Sequence, residues 1–299
     1  MKAKLGIAPI AWSNDDLPEL GGETSLETCL NEAHQAGFSG IEIGGKFPRD
    51  ADILGPILAG HDLALCGGWY PGTLLVNDIE AEKDRVAAQM ALFKALNAPC
   101  LVYGESTGAI QSERHTPLAT RKRLDEDQIR AHGHKLTAFA QWCFEQGMPI
   151  AYHHHMGAVI EEERDLDLLM KHSGAELSLT YDPGHMAFAG GDVLRVIDNH
   201  GHRIRHFHAK DVRSQVIHGL DRTRESFLDA VLKGAFTVPG DGALDFAALT
   251  RRLADKGYEG WFVVEAEQDP AKAPPLQYAM NGHAELVRVL AAAGYEISR

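Results

Sequence analysis

PIAYHHHMG, residues 149–157, joins an apolar run to three consecutive histidines. Pro149, Ile150, Ala151 and Tyr152 read as a strand covered on both faces, as in a parallel sheet flanked by helices. The imidazoles then mark its C-terminal end. Other short apolar or β-branched runs along the chain also close on ionisable residues. The candidate strands are Leu5–Ile10, Gly40–Gly44, Leu63–Trp69, Cys100–Gly104, Pro149–His154, Leu177–Asp182, Ile204–His208 and Trp261–Glu265.

Helical patterns separate them. Leu26–Ala36 stops at Gly37, a left-handed cap candidate, and is followed by Ile79–Leu96 and Asp127–Gln146. Asp165–Lys171, Val193–Asn199 and Phe227–Leu232 are shorter. Phe246–Lys256 follows the N-cap candidate Asp245, and a last helix runs from Leu276 to Ala293. Eight strands alternating with helices predict an α/β fold, a (β/α)8 TIM barrel spanning residues 1–299 as one domain with a C-terminal helix. An open doubly wound sheet would carry a glycine-rich turn after its first strand. Here the first strand leads into Ala11-Trp12-Ser13-Asn14-Asp15-Asp16. The longest irregular stretch, Val212–Gly242, is a candidate lid.

The formal net charge of −13 argues against a nucleic-acid backbone or an anionic membrane as partner and leaves a small molecule. No stretch reaches the roughly 18 apolar residues of a membrane span. The start of the chain, a short apolar run meeting Asn14-Asp15-Asp16, does not read as a signal peptide. Cys29, Cys66, Cys100 and Cys143 are widely spaced and read as reduced, buried thiols of a cytoplasmic protein. A homo-oligomer stays open.

In such a barrel the reacting groups sit at the C-terminal ends of the strands. Those ends carry Glu42, Glu105, His153-His154-His155, Asp182 with His185, His206-Phe207-His208-Ala209-Lys210, and Glu265 with Glu267. One such residue alone is ordinarily a hydrogen-bonded structural group. Gathering so many ionisable groups is costly unless something compensates, and a divalent cation does so economically. Mixed imidazole and carboxylate donors suit Mn²⁺, Co²⁺, Zn²⁺ or Fe²⁺. The period of two along a strand sorts them further. His206, His208 and Lys210 share a face, as do Glu265 and Glu267. His153 and His155 point one way and His154 the other, so the three histidines cannot form one tridentate clip. Trp12 and Trp69 could stack on a substrate ring or serve as core aromatics. Glu42, Glu105 and Glu267 are candidate substrate contacts. Lys210 could orient a hydroxyl, balance the carboxylates, or pair with Asp211 or Glu42.

The stretches YDPGH (181–185), HFHAKD (206–211) and GWFVVE (260–265) resemble the xylose-isomerase-like barrel superfamily. GIAPIAWSNDDLPELGG, GFSGIEIGGKFP, YHHHMG, FTVPGDGALDF and VVEAEQDP, which together span nearly the whole chain, resemble the inosose dehydratases within it. That resemblance implies dehydration of 2-keto-myo-inositol to a trihydroxycyclohexane-1,2-dione in inositol catabolism. It also implies Mn²⁺ or Co²⁺, and glutathione, for which no site is visible. The superfamily's metal set is Glu, Asp, His and Glu. Asp182, His208 and Glu265 match the last three, and the first falls at His153, with His155 and Glu42 as alternatives. A dehydratase must remove a proton α to a ketone, stabilise an enediolate with a Lewis acid, and protonate the departing β-hydroxyl. Glu265 is then the candidate base, and His155 or His185 the candidate acid beside Lys210. A sugar isomerase or epimerase of the same fold and a non-catalytic sugar-binding barrel are the rival expectations.

Overall fold

The computed structural model describes residues 1–298. Its strands are β1 (Lys2–Ile7), β2 (Gly40–Glu42), β3 (Ala64–Gly67), β4 (Trp69–Gly72), β5 (Leu101–Glu105), β6 (Ile150–His153), β7 (Ser178–Tyr181), β8 (Ile204–Ala209), β9 (Asp211–Val212), β10 (Phe236–Thr237), β11 (Gly260–Val264) and β12 (Glu296–Ile297). Parallel pairing runs in the order β3-β2-β1-β11-β8-β7-β6-β5-β4. β3 and β4 are two halves of one barrel strand, broken at Gly67-Gly68. The first half pairs with β2 and the second with β5, which closes the ring. Both glycines take positive φ, and a Cβ on Gly68 would lie 2.5 Å from Ile43 Cγ2. The result is a (β/α)8-like barrel.

The helices are α1 (Leu26–Gln35), α2 (Ala51–Gly60), α3 (Ile79–Ala95), α4 (Glu126–Glu145), α5 (Glu163–Lys171), α6 (Pro183–Ala189), α7 (Val193–His200), α8 (Ser214–His218), α9 (Phe227–Leu232), α10 (Phe246–Asp255) and α11 (Pro275–Ala292). Most begin at the side chains that favour helix starts. Ser25, Asp78, Asp125 and Asp245 each accept a backbone N–H from the first turn. No helix among the described residues is long and apolar enough to cross a membrane.

Three differences from the sequence expectation have physical causes. β1 starts at Lys2 and ends at Ile7, because Pro9 opens a 3-10 turn over Pro9–Ala11 and ends the extended run. α2 lacks a clear helical signal, since Gly55 and Pro56 interrupt it. The Asp50 cap and the burial of Leu54 and Leu58 hold it nonetheless. The region 212–242 is folded: β9 and β10 pair antiparallel, α8 and α9 lie between them, and Arg213 pairs with Asp241.

The N-terminal floor of the barrel is filled by the Trp261 indole, packed with Cys66, Val263 and Ala8. Gly6 and Gly40 make room: a Cβ on Gly40 would sit 2.4 Å from the indole. Leu17, Leu118, Met156, Phe188, Phe227 and Phe236 form a second apolar cluster, which reaches the C-terminal end of the barrel where Phe227 meets His155 and Phe236 meets His185. Two loops lock together there, with Leu118 N–H donating to Glu225 O and Ala119 N–H to Arg222 O.

Candidate metal centre

β8 turns His206 and His208 into the barrel, and Lys210, the residue just past its end, follows on the same face, at heights about 7 Å apart by the rise of a strand. At the lowest height Glu42 Oε1, at the end of β2, accepts from His206 Nε2 at 2.8 Å and from His208 Nε2 at 3.2 Å. These contacts outweigh burial and hold the Glu42 carboxyl down at about 2.

Above this pair four side chains converge. His153 ends β6, Asp182 follows β7, His208 lies in β8 and Glu265 follows β11. His153 Nε2 lies 3.0 Å from His208 Nδ1 and 3.9 Å from Asp182 Oδ2. His208 Nδ1 is 3.8 Å from Asp182 Oδ2 and in close contact with Glu265 Oε2. All four residues are buried.

The donor atoms fit a divalent cation. Asp182 caps α6 with Oδ1, which accepts from His185 N at 2.9 Å, and Oδ2 is left inside the cluster without a hydrogen-bond partner. Glu265 Oε2 faces the same point, with His208 Nδ1 beside it. His153 Nδ1 donates to the His154 carbonyl at 2.5 Å, so its Nε2 carries the lone pair. Glu42 takes the Nε2–H of His208, which turns the Nδ1 lone pair toward the other three. Each imidazole is thus oriented through its outer nitrogen, as metal-bound histidines are. Burial disfavours charge on His208, yet Glu265 and Glu42 prevail and raise its pKa well above the usual value, so without a cation Nδ1 carries a proton, and a bound metal would take that proton's place and use the lone pair it frees. Two nitrogens and two carboxylate oxygens suit a transition-metal dication.

Lys210 sits beside the cluster, fully buried. Its ammonium lies 2.8 Å from Glu265 Oε1, 3.1 Å from Glu267 Oε2, 3.4 Å from Asp182 Oδ2 and 2.8 Å from His185 Nε2. It pairs with neither Asp211 nor Glu42. Asp211 instead accepts backbone N–H groups from Val212, Gly240, Gly242 and Leu244. Burial and the neighbouring Glu265 push Glu267 up to about 7 against the pull of Lys210. Burial, with Lys210 nearby, lowers His155 to about 3, so the ring is neutral. Its Nδ1 donates to the Met156 carbonyl at 2.8 Å, leaving a lone pair on Nε2.

A cavity opens over the centre, with Glu42, Trp69, His153, His155, His208, Glu265 and Glu267 in its walls. Trp69 meets the rings of His153 and His155 edge-on, at 5.8 and 5.7 Å. Gly104 lets it lean across, since a Cβ there would fall 1.9 Å from the indole. His185 stands behind this wall, 3.9 Å from the His155 ring. His154 faces outward against Tyr181.

Two candidate substrate contacts are corrected. Trp12 is swung outward by the Pro9–Ala11 turn, and its Nε1–H donates to Glu32 of α1 at 2.6 Å. Glu105 shares the outward face of β5 with Tyr103, whose hydroxyl donates to it at 2.9 Å. The inward position of that strand is Val102, which lines the cavity. Sequence reasoning also missed Ser13, Asp15, Asp16 and Gln111 on the cavity rim. The aspartates were visible as a polar run directly after the first strand. Gln111 carried no signal, because its place depends on a loop anchored elsewhere: Ile110 N–H donates to Gly157 O, and the buried Arg121 pairs with Glu161 and Asp165.

The family described as xylose isomerase-like TIM barrel matches residues 30–290. The chain is 44% identical over 298 residues to the rhizopine catabolism protein MocC of Rhizobium meliloti, covering 100% of this chain and 92% of that one. It is 43% identical over 284 residues to an inosose dehydratase of Geobacillus thermodenitrificans, covering 94% and 95%. An inosose dehydratase of Clostridium perfringens is 39% identical over 280 residues, covering 93% and 94%. Among solved structures, the IOLI protein with a binding zinc atom superposes with a TM-score of 0.69 at 16% identity, covering 97% of this chain and 99% of that one. The probable 3-DHS dehydratase AsbF of Bacillus anthracis gives 0.68 at 13%, covering 95% and 98%. At these identities the two structures are similar in fold alone.

Proposed function

The chain belongs to the xylose isomerase-like TIM barrel family, and from that premise we propose that it is a metal-dependent dehydratase of an inosose-type cyclitol ketone. The observation that carries this reading is the convergence of His153, Asp182, His208 and Glu265 on one point at the cavity floor, in a chain 43% identical to an inosose dehydratase. Those four would hold the cation, with Mn²⁺ or Co²⁺ as first choices and Zn²⁺ as third for this donor set. When bound, it supplies Lewis acidity beside the substrate ketone.

The chain's own groups do the rest. Trp69 offers the ring an apolar wall, and Ser13, Asp15, Asp16 and Gln111 face its hydroxyls from the rim. Glu267 is the proton carrier, since a carboxyl pushed up to about 7 is populated in both forms near neutrality. Ionised, it takes the α-proton; protonated, it returns one to the departing β-hydroxyl, so that C–H and C–O bonds break and water leaves. His155 Nε2, with its lone pair fixed, accepts a hydrogen bond from a substrate hydroxyl and orients it. Glu265 touches both His208 and Lys210 and serves to hold the centre together.

The test is turnover of 2-keto-myo-inositol by enzyme stripped with chelator and reloaded with Mn²⁺, Co²⁺ or Zn²⁺. A dione absorbing in the ultraviolet, formed only by reloaded enzyme, is expected. An epimerised ketone, or dione formation that ignores the metal, would overturn the reading. The 44% identity to the rhizopine catabolism protein favours a second reading, in which the same centre acts on a compound of rhizopine catabolism. Parallel assays of a rhizopine-derived ring and the inosose decide between them by kcat/KM.

A further inference from the structure

We propose that the ammonium of Lys210 occupies the place of a second metal ion, so that the centre takes one divalent cation and excludes another. This rests on reading His153, Asp182, His208 and Glu265 as a metal centre. Beside that set lies a second one, His155, His185 and Glu267, whose donor atoms also come within 4.8 Å of one another. All three are buried. Two such sets side by side are the usual preparation for a pair of cations about 3.5–4 Å apart, bridged by a carboxylate.

Glu265 has that bridging disposition. Its Oε2 faces His208 in the first set, and its Oε1 faces the second set, where it meets Lys210 Nζ at 2.8 Å. The same ammonium is held by one donor atom from each of two second-set members, His185 Nε2 at 2.8 Å and Glu267 Oε2 at 3.1 Å, and lies 3.4 Å from Asp182 Oδ2. Three carboxylates and an imidazole nitrogen around one ammonium are the surroundings expected of a cation site. The Phe236 ring, 4.9 Å from Nζ, closes the remaining side.

The chain makes room for this arrangement. A Cβ on Gly184 would fall 2.6 Å from Lys210 Cγ, so the glycine in the stretch Tyr181-Asp182-Pro183-Gly184-His185 is where the lysine stem passes. A covalently tethered single charge cannot exchange with solvent metal. It neutralises the carboxylates on the far side of Glu265 while leaving His155 and Glu267 unligated at the cavity wall. Lys210 is in this sense a positioning residue: it fixes the nuclearity of the centre.

The experiment counts metal in purified protein loaded with excess Mn²⁺ and freed of unbound ion by gel filtration, using elemental analysis and electron paramagnetic resonance. The wild type is expected to hold one ion per chain with an uncoupled Mn²⁺ signal. Lys210→Ala and Lys210→Ser are expected to hold two, with an exchange-coupled signal. The double variant Lys210→Ala/Glu267→Gln is expected to return to one. Two ions in the wild type, or one in folded Lys210→Ala and Lys210→Ser, would overturn the proposal. If neither Lys210 variant folds, Glu267→Gln alone decides. Retention of one ion supports the assignment, and loss of that ion overturns it, because Glu267 would then belong to the bound metal's shell. A wild type that binds no ion defeats the metal-centre reading itself, a result distinct from all of these.

Discussion

The floor and the mouth of the barrel are built on the same strands and have opposite chemistry. On β11, Trp261 fills the floor against Cys66 and Val263, while Glu265, just beyond the end of the same strand, joins the ionisable cluster at the mouth. Gly6 and Gly40 leave space for one large indole below. Above, β2, β6, β8 and the residues after β7 and β11 contribute charges or lone pairs. Apolar packing at the floor stabilises the ring without needing partners. The buried carboxylates and imidazoles at the mouth are tolerable only because each meets a complementary group, such as Lys210 against Asp182, Glu265 and Glu267. Stability and chemistry are therefore separated by height along the barrel axis, and substitutions at the two ends should have separable effects.

The sharpest break is Asp182→Ala. It removes a metal donor and is expected to lower turnover by about 10⁴-fold, roughly 5.5 kcal/mol of barrier. The melting temperature should fall modestly or hold, and a large loss of stability with metal retained would count against the separation. Trp261→Ala does the reverse. Loss of the floor indole should cost about 3–5 kcal/mol of unfolding free energy in urea, while the folded protein keeps its metal stoichiometry. Glu42→Gln tests the layer between the two ends. Without the anionic acceptor that turns the His208 lone pair inward, metal affinity should weaken by about 10–100-fold, measured by competition with a chelating dye. An affinity equal to wild type would show that Glu42 does not set that orientation.

The smallest effect lies outside both ends, at His132 of α4. Burial lowers its pKa from the usual 6.5 to about 3, and neither ring nitrogen has a hydrogen-bond partner. Between those values the unfolded chain binds a proton that the folded ring refuses, so stability is lost as pH falls from 6.5 toward 3. The ring contributes about 1.4 kcal/mol per pH unit to that slope. His132→Phe should flatten the pH dependence of urea unfolding by this amount between pH 6 and 5. An unchanged slope would mean that the ring is protonated in the fold.

Several outcomes separate what a linear reading can reach from what it cannot. The period of two placed His206, His208 and Lys210 on one face, and the structure points all three into the barrel. The same period puts Glu105 on one face with Tyr103, but nothing in that alternation says which face of a strand is inward. Closure of the ring decides it: Val102 lines the cavity, and Gly104 yields to Trp69 from the neighbouring strand. Trp12 was open to a substrate role because its direction is set by a single 3-10 turn and by Glu32 on α1. Helix α2 was obscured by Gly55 and Pro56, whose local cost is outweighed by the burial of Leu54 and Leu58.

By itself, then, the sequence determined the alternation of strands and helices, the ionisable strand ends and the set of side chains able to meet at one end of a barrel. Those properties are local, following from backbone periodicity and from the cost of burying charge along a few residues at a time. Only the tertiary structure decided which nitrogen of His153 and of His208 carries its lone pair, which carboxylate oxygen is left without a hydrogen-bond partner, and that Lys210 bridges two donor sets. These depend on contacts between residues far apart in the chain, such as Glu42 with His208. Such contacts exist only once the ring has closed and brought the strand ends together around one axis.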